Sequence, residues 1–162
     1  MNSSVDESSI YVANNFVVPF KEETKFSITS DFGYRLDPFN NDEINFHNGI
    51  DLGAKCNEPV IASSDGIVYE IGTNDSGLGN YIYLEHDNLL YTIYGHLSEI
   101  IVDKDDVINK GDIIGYVGNT GLSTGCHLHF MITKGIFSFE KEYLVDPSFV
   151  IYGLDGRKNN KE

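Results

Sequence analysis

Apolar residues recur along this chain in short alternating or clustered runs, cut by Gly, Asn and Asp, which is the spacing of strands and turns rather than helices. Phe26-Ser27-Ile28-Thr29-Ser30 alternates apolar with polar positions. The runs 60–63 and 66–71 read as strands around a Ser64-Asp65-Gly66 turn, and 81–85 with 89–94 as a hairpin turning near Asp87-Asn88. A further turn sits between strands in 108–115, and 113–118 and 130–133 are again β-like. Order begins at Phe16-Val17-Val18-Pro19-Phe20, and Val145 to Phe149 reads as a short closing turn. Polar, gapped segments at 37–45, 53–58, 73–79 and 119–125 are loops. Residues 1–14 are polar and acidic without a period, and read as a loose lead-in. The pattern predicts one all-β domain over 15–152, with a flexible lead-in at 1–14 and a charged, mobile tail at 153–162.

Composition narrows the function classes. A chain of 162 residues is long enough to bury one core without staples. Its formal net charge of −14 removes the basic footprint that nucleic-acid binding needs, and gives no general attraction to anionic polymers or lipids. A polymeric substrate must then be gripped by a local groove. There is no apolar run of membrane-spanning length and no signal peptide at Met1. The expectation is either a cytosolic protein or an ectodomain whose leader or anchor has been removed. Two cysteines, Cys56 and Cys126, are too few for a disulfide framework and form no C-x-x-C pair. Strand alternation turns Cys126 away from the face of its histidine neighbours, so it reads as a small buried residue rather than a metal ligand.

The chemistry lies in the histidines. His127 and His129, in Gly125-Cys126-His127-Leu128-His129-Phe130, share one strand face, while apolar Leu128 and Phe130 turn to the core. Two such imidazoles serve one metal ion, or one ligand plus one acid/base. His47 and Asp51 add a nitrogen and a carboxylate oxygen, donor types that zinc accepts, although His-x-x-x-Asp alone is a loose pattern. Three protein ligands would leave a fourth position for water. His96 ends a hairpin strand, and His86, beside the hairpin turn, reads as structural.

Three ordered segments, 46–54, Tyr94-Gly95-His96-Leu97-Ser98 and 121–130, resemble the M23 peptidases, the lysostaphin- and LytM-type zinc endopeptidases of bacterial cell walls. Ser30-Asp31-Phe32-Gly33-Tyr34-Arg35, Pro59 to Ala62, Gly79-Asn80-Tyr81, Lys110 to Gly115 and Val145-Asp146-Pro147 support the likeness, which runs from about Phe16 to Phe149. The resemblance implies a two-sheet antiparallel β-sandwich of LytM-like duplicated hybrid motif, with loops 35–46, 73–79 and 119–125 walling a groove. It implies one Zn2+ on His47, Asp51 and His129, with His96 and His127 as catalytic histidines. It further implies hydrolysis of peptidoglycan stem or cross-bridge peptides, often at glycine-containing bonds, in a bacterial cell envelope or extracellular setting. Gly95 stands where the family commonly has Ala, and Cys126 where it has Pro. A second class of relative keeps the fold as a scaffold or adaptor in sporulation or division and binds a partner protein. Retention of all five role-bearing residues favours the zinc peptidase. The turn at Lys110 also resembles biotinyl and lipoyl carrier domains, but Val102-Asp103-Lys104-Asp105 lacks their lysine context.

Overall fold

The computed structural model describes residues 5–135 and 139–154. The strands among them are β1 (Ser27–Ser30), β2 (Gly33–Leu36), β3 (Ile44–His47), β4 (Ile50–Gly53), β5 (Pro59–Ile61), β6 (Gly66–Asn74), β7 (Gly79–Glu85), β8 (Leu90–Ile100), β9 (Val107–Ile108), β10 (Ile113–Val117), β11 (His127–Lys134) and β12 (Leu144–Val145). Every pairing is antiparallel. The main sheet runs β1-β4-β11-β8-β7-β6-β9, with β12 beside β11 and β10 joining β5 to β8. The ribbon β2-β3 stands apart. The all-β class holds, and the expected layers are joined into one ladder by the long strand β8. Leu90 to Gly95 pair with β11, whereas Leu97 to Ile100 pair with β10.

Period-2 alternation builds the core. On β11, Leu128, Phe130 and Ile132 enter the main apolar cluster with Leu52, Ile82 and Tyr94. Met131 points the other way, into a smaller cluster with Tyr83, Tyr91 and Ile93. That opposite face carries His127 and His129 at its open end, so core packing and site placement are two faces of one strand. The predicted hairpin is present, its turn a short 3-10 segment over Asp87–Leu89.

Three expectations change. The lead-in is not loose where it is described: α1 spans Glu7–Asn15, capped by Asp6 accepting from the Ser9 amide at 2.8 Å. Its inward stripe is Ser9, Val12, Ala13 and then Phe16, a helical spacing that the polar Ser9 hides from a hydrophobicity reading. The loop before His47 is narrower than 37–45 and is flanked by the β2-β3 ribbon. The closing turn is β12 followed by α2 (Ser148–Tyr152), which packs on α1. Of the expected tail, Gly153 and Leu154 follow α2, and 155–162 lie outside the described residues, as do 1–4.

Cys126 is not a lone thiol. It forms a disulfide with Cys56, Cα–Cα 5.3 Å, across a sequence separation of 70. The bridge ties the β4-β5 turn to the loop entering β11, and no cysteine among the described residues is free. The pair was illegible as a bridge because strand alternation says where a side chain points, not which distant loop it meets.

His86 is structural, as expected. Its Nδ1–H donates to the Asp65 carbonyl at 2.7 Å, and Thr92 Oγ1 lies 2.7 Å from Nε2. Thr92 in turn meets Tyr94 Oη at 2.8 Å, and Tyr94 Oη accepts from the Ser63 amide at 3.0 Å. Burial pushes the His86 imidazole below its ordinary value, against the pull of the Asp65 carbonyl.

Two outcomes follow. Replacing both cysteines by alanine should lower the unfolding free energy by about 4 kcal/mol, from the closed-loop entropy released in the unfolded chain, read by denaturant titration. For His86, the unfolded chain binds the proton first as pH drops below the ordinary value of 6.5, so this residue's contribution to stability is present at neutral pH and declines in acid. The stability gap between the parent and His86→Gln should therefore narrow from pH 7.5 to pH 5.

Candidate metal centre

The β4-β11 ladder sets Asp51 directly opposite His129, and β11 sets His129 opposite Gly95 on its other side. Cross-strand partners have adjacent side chains, so register alone brings the carboxylate to the imidazole. His47 ends β3, and the Asn48-Gly49 turn returns the chain into β4. Gly49 is needed there because a Cβ would sit 2.5 Å from the Phe130 carbonyl oxygen. His47 Nε2 then lies 3.3 Å from Asp51 Oδ1 and 3.3 Å from His129 Nδ1. His127, two positions before His129, puts Nε2 3.7 Å from the same oxygen.

His96 arrives differently. It lies inside β8 rather than at a strand end, at the point where β8 leaves β11 for β10 and where its register with β7 shifts. Its φ is +62°, the left-handed region that non-glycine residues rarely enter. The irregularity turns the His96 ring into the groove, 4.6 Å centroid to centroid from His127. The structure thus brings together all five predicted residues: His47, Asp51, His96, His127 and His129.

Hydrogen bonding fixes which nitrogen each ring turns inward. His47 Nδ1–H donates to the Asp31 carbonyl at 2.8 Å, His96 Nδ1–H to Thr120 at 2.7 Å, and His127 Nδ1–H to Gly125 at 2.8 Å. His129 is reversed: Nε2–H donates to Asn48 Oδ1 at 3.0 Å, and Nδ1 lies 2.8 Å from Asp51 Oδ1. A carbonyl oxygen only accepts, so each outer nitrogen carries the hydrogen and each inner nitrogen a lone pair. Burial pushes the His129 imidazole down, and pushes His96 down to about 4 despite the Thr120 carbonyl. With these hydrogen bonds the centre is a carboxylate oxygen facing imidazole lone pairs.

Such a cluster has acceptors and no donor. The ligand atoms of His47, Asp51 and His129 lie within 4.8 Å of one another, a set that fits a small divalent cation with oxygen and nitrogen preferences. The centre opens into a groove of about 720 Å³. Segments of all three predicted loops wall it, including Phe39, Leu78 and Leu122. Phe46 lines it beside Phe39, so the groove is more aromatic than Phe39 alone would make it. Sequence reasoning assigned no role to Asn48, Thr120 or Arg35. The first and last sit in the segments His47-Asn48-Gly49 and Tyr34-Arg35 already singled out, where their polarity was the available signal.

Comparison with known proteins agrees with this geometry. The description "Peptidase family M23" matches residues 45–147. The peptidoglycan DD-endopeptidase ShyA of Vibrio cholerae is 39% identical over 115 residues, 70% of this chain and 26% of that protein. The chain spans 18% to 26% of the length of the curated relatives it matches. Among solved structures, the catalytic domain of the antimicrobial peptidase lysostaphin from Staphylococcus simulans aligns with TM-score 0.67 and 32% identity, over 77% of this chain and 90% of that one. A chain of the SpoIIIAH and SpoIIQ complex aligns with TM-score 0.68 and 25% identity, over 83% of this chain and 98% of that one. With the matched stretch running from β3 to the turn before α2 and the solved relatives sharing the fold, the chain belongs to peptidase family M23.

Proposed function

We propose that this protein is a zinc-dependent endopeptidase that hydrolyses peptide bonds in peptidoglycan stem peptides or cross-bridges. The observation that carries the reading is the convergence of imidazole lone pairs on one anionic carboxylate oxygen, with each ring's outer nitrogen already committed to an oxygen acceptor. His47 Nε2, His129 Nδ1 and Asp51 Oδ1 would hold one zinc ion, and Asn48 and the Asp31 carbonyl would fix the two rings. Zinc in this position supplies a Lewis acid for the scissile carbonyl and a water ionisable near neutral pH.

His96 and His127 do the proton work in this reading. Both keep Nδ1 bound to a backbone carbonyl and leave Nε2 free to accept, which suits them to take a proton from the attacking water and return it to the departing amine. Burial lowers the basicity of His96, so its ring is neutral at physiological pH. The groove that runs past the centre is open enough for an extended peptide, and the strongly acidic surface leaves binding to groove contacts rather than to bulk charge. The work site is the bacterial envelope or its exterior, which the name of the Vibrio relative supports.

The likeness to the SpoIIIAH–SpoIIQ chain favours one other reading, a zinc-bearing adaptor that uses the same groove for a partner protein. Metal analysis with digestion of purified peptidoglycan separates the two. His129→Ala should lose the metal, whereas His96→Ala should keep it while hydrolysis drops ~10²–10⁴-fold. A parent that carries zinc and releases no product from either directly cross-linked or glycine-bridged wall is the result that sinks the peptidase reading.

A further inference from the structure

Arg35 ends the segment Ser30 to Arg35, of which only the Asp31 carbonyl has a part in the chemistry described so far. On the β2-β3 ribbon Gly33 pairs with His47 and Arg35 with Asn45, so Arg35 shares the face that delivers His47 to the centre. Its Nη1 lies 3.6 Å from Asp51 Oδ2, the oxygen turned away from the imidazoles. The same nitrogen donates a hydrogen bond to Ser30 Oγ. Ser30 is held opposite Asp51 by a register shift in the β1-β4 ladder between Ile28 and Ser30. Bulges of this kind re-aim a side chain beside a site.

The guanidinium gives something up in this position. Its Nε is buried and has no hydrogen-bond partner, alone in that respect among the described residues. A buried donor without an acceptor opposes folding, so the pose is set by what the far end of the side chain touches. Among the described residues that line the groove, Arg35 is also the only Lys or Arg, on a chain of net charge −14. That single cation sits against Asp51.

We infer that Arg35 is a positioning residue: by occupying Oδ2 of Asp51, with Ser30 as its own anchor, it leaves Oδ1 as the one oxygen offered to the metal. The inference rests on the reading that His47, Asp51 and His129 hold a divalent ion. A carboxylate free at both oxygens would add a second donor, raise the coordination number and offset more of the ion's charge, which weakens the ion as a Lewis acid. Oδ1 is already shared among His47, His127 and His129, so the division between the two oxygens is built before any ion arrives.

The test is cobalt substitution of the whole protein, because Co2+ absorbs strongly in the visible at four-coordinate sites and weakly once further oxygens bind. The parent should take up one equivalent with an intense band. Arg35→Gln should take up Co2+ with a weakened band and show a ~10–100-fold lower kcat at unchanged KM. Arg35→Lys should recover part of both, and Ser30→Ala, which keeps the charge but frees its anchor, should shift the band in the same direction by less. An unchanged band in Arg35→Gln overturns the inference. So does a rise in KM alone, which would make Arg35 a receptor for a substrate carboxylate, or a drop in the melting point of the metal-free protein with a parental band in the folded fraction, which would make it structural. A parent that binds no Co2+ removes the metal reading itself and this inference with it.

Discussion

The constraint on which the rest depends is the pairing of His129 with Asp51 across the β4-β11 ladder. Backbone hydrogen bonds, not side-chain contacts, put a carboxylate oxygen 2.8 Å from an imidazole nitrogen whose partner nitrogen is already bound to Asn48. Slipping that register by one residue would send every β11 side chain to the opposite face and bury the histidines where Leu128 and Phe130 now pack. The apolar face of β11 therefore guards the polar one. Fully buried Leu128, Phe130 and Ile132 make any other register costly, and the site inherits its precision from the core.

Around that pair the chain accepts local irregularity. His96 takes a left-handed backbone inside a strand, β1 bulges at the residue facing Asp51, and a buried arginine nitrogen goes without a partner. Each opposes stability, and each aims a group at the same few ångströms of space. The opposing support is spread through the sheet: β8 holds both halves of the ladder, and the Cys56–Cys126 bridge anchors the loop from which β11 departs. The His86 network, with its own buried imidazole, lies toward the other end of β8. The difference between the two sets of histidines is what their inner nitrogens meet. In His86 both nitrogens have a partner, whereas the centre leaves lone pairs aimed at one another.

Protonation follows the same division. Burial pushes the His96 and His129 imidazoles toward the neutral form, whose lone pairs are what a cation needs. The chain is strongly acidic, and among the described residues the groove carries a single Lys or Arg. Long-range attraction of an anionic polymer is therefore weak, and selectivity falls to contacts made within the groove walls.

Much of this was written in the sequence. Alternation in 26–30 and the clustered apolar runs at 81–85 and 130–133 marked strands, and the spacing of His127 and His129 put both on one face because side chains on a pleated backbone alternate. Donor chemistry named His47 and Asp51, although their spacing alone said little. Only the tertiary structure decided that β8 is one strand serving two neighbours, that 7–15 is a helix closing on the core, and that two cysteines 70 residues apart are joined. It also decided which oxygen of Asp51 faces the histidines and which faces Arg35. Local pattern fixes the direction of a side chain relative to its own strand. Distance between strands, turns and loops far apart along the chain depends on how their apolar faces are buried together, and that is settled only when the whole chain packs.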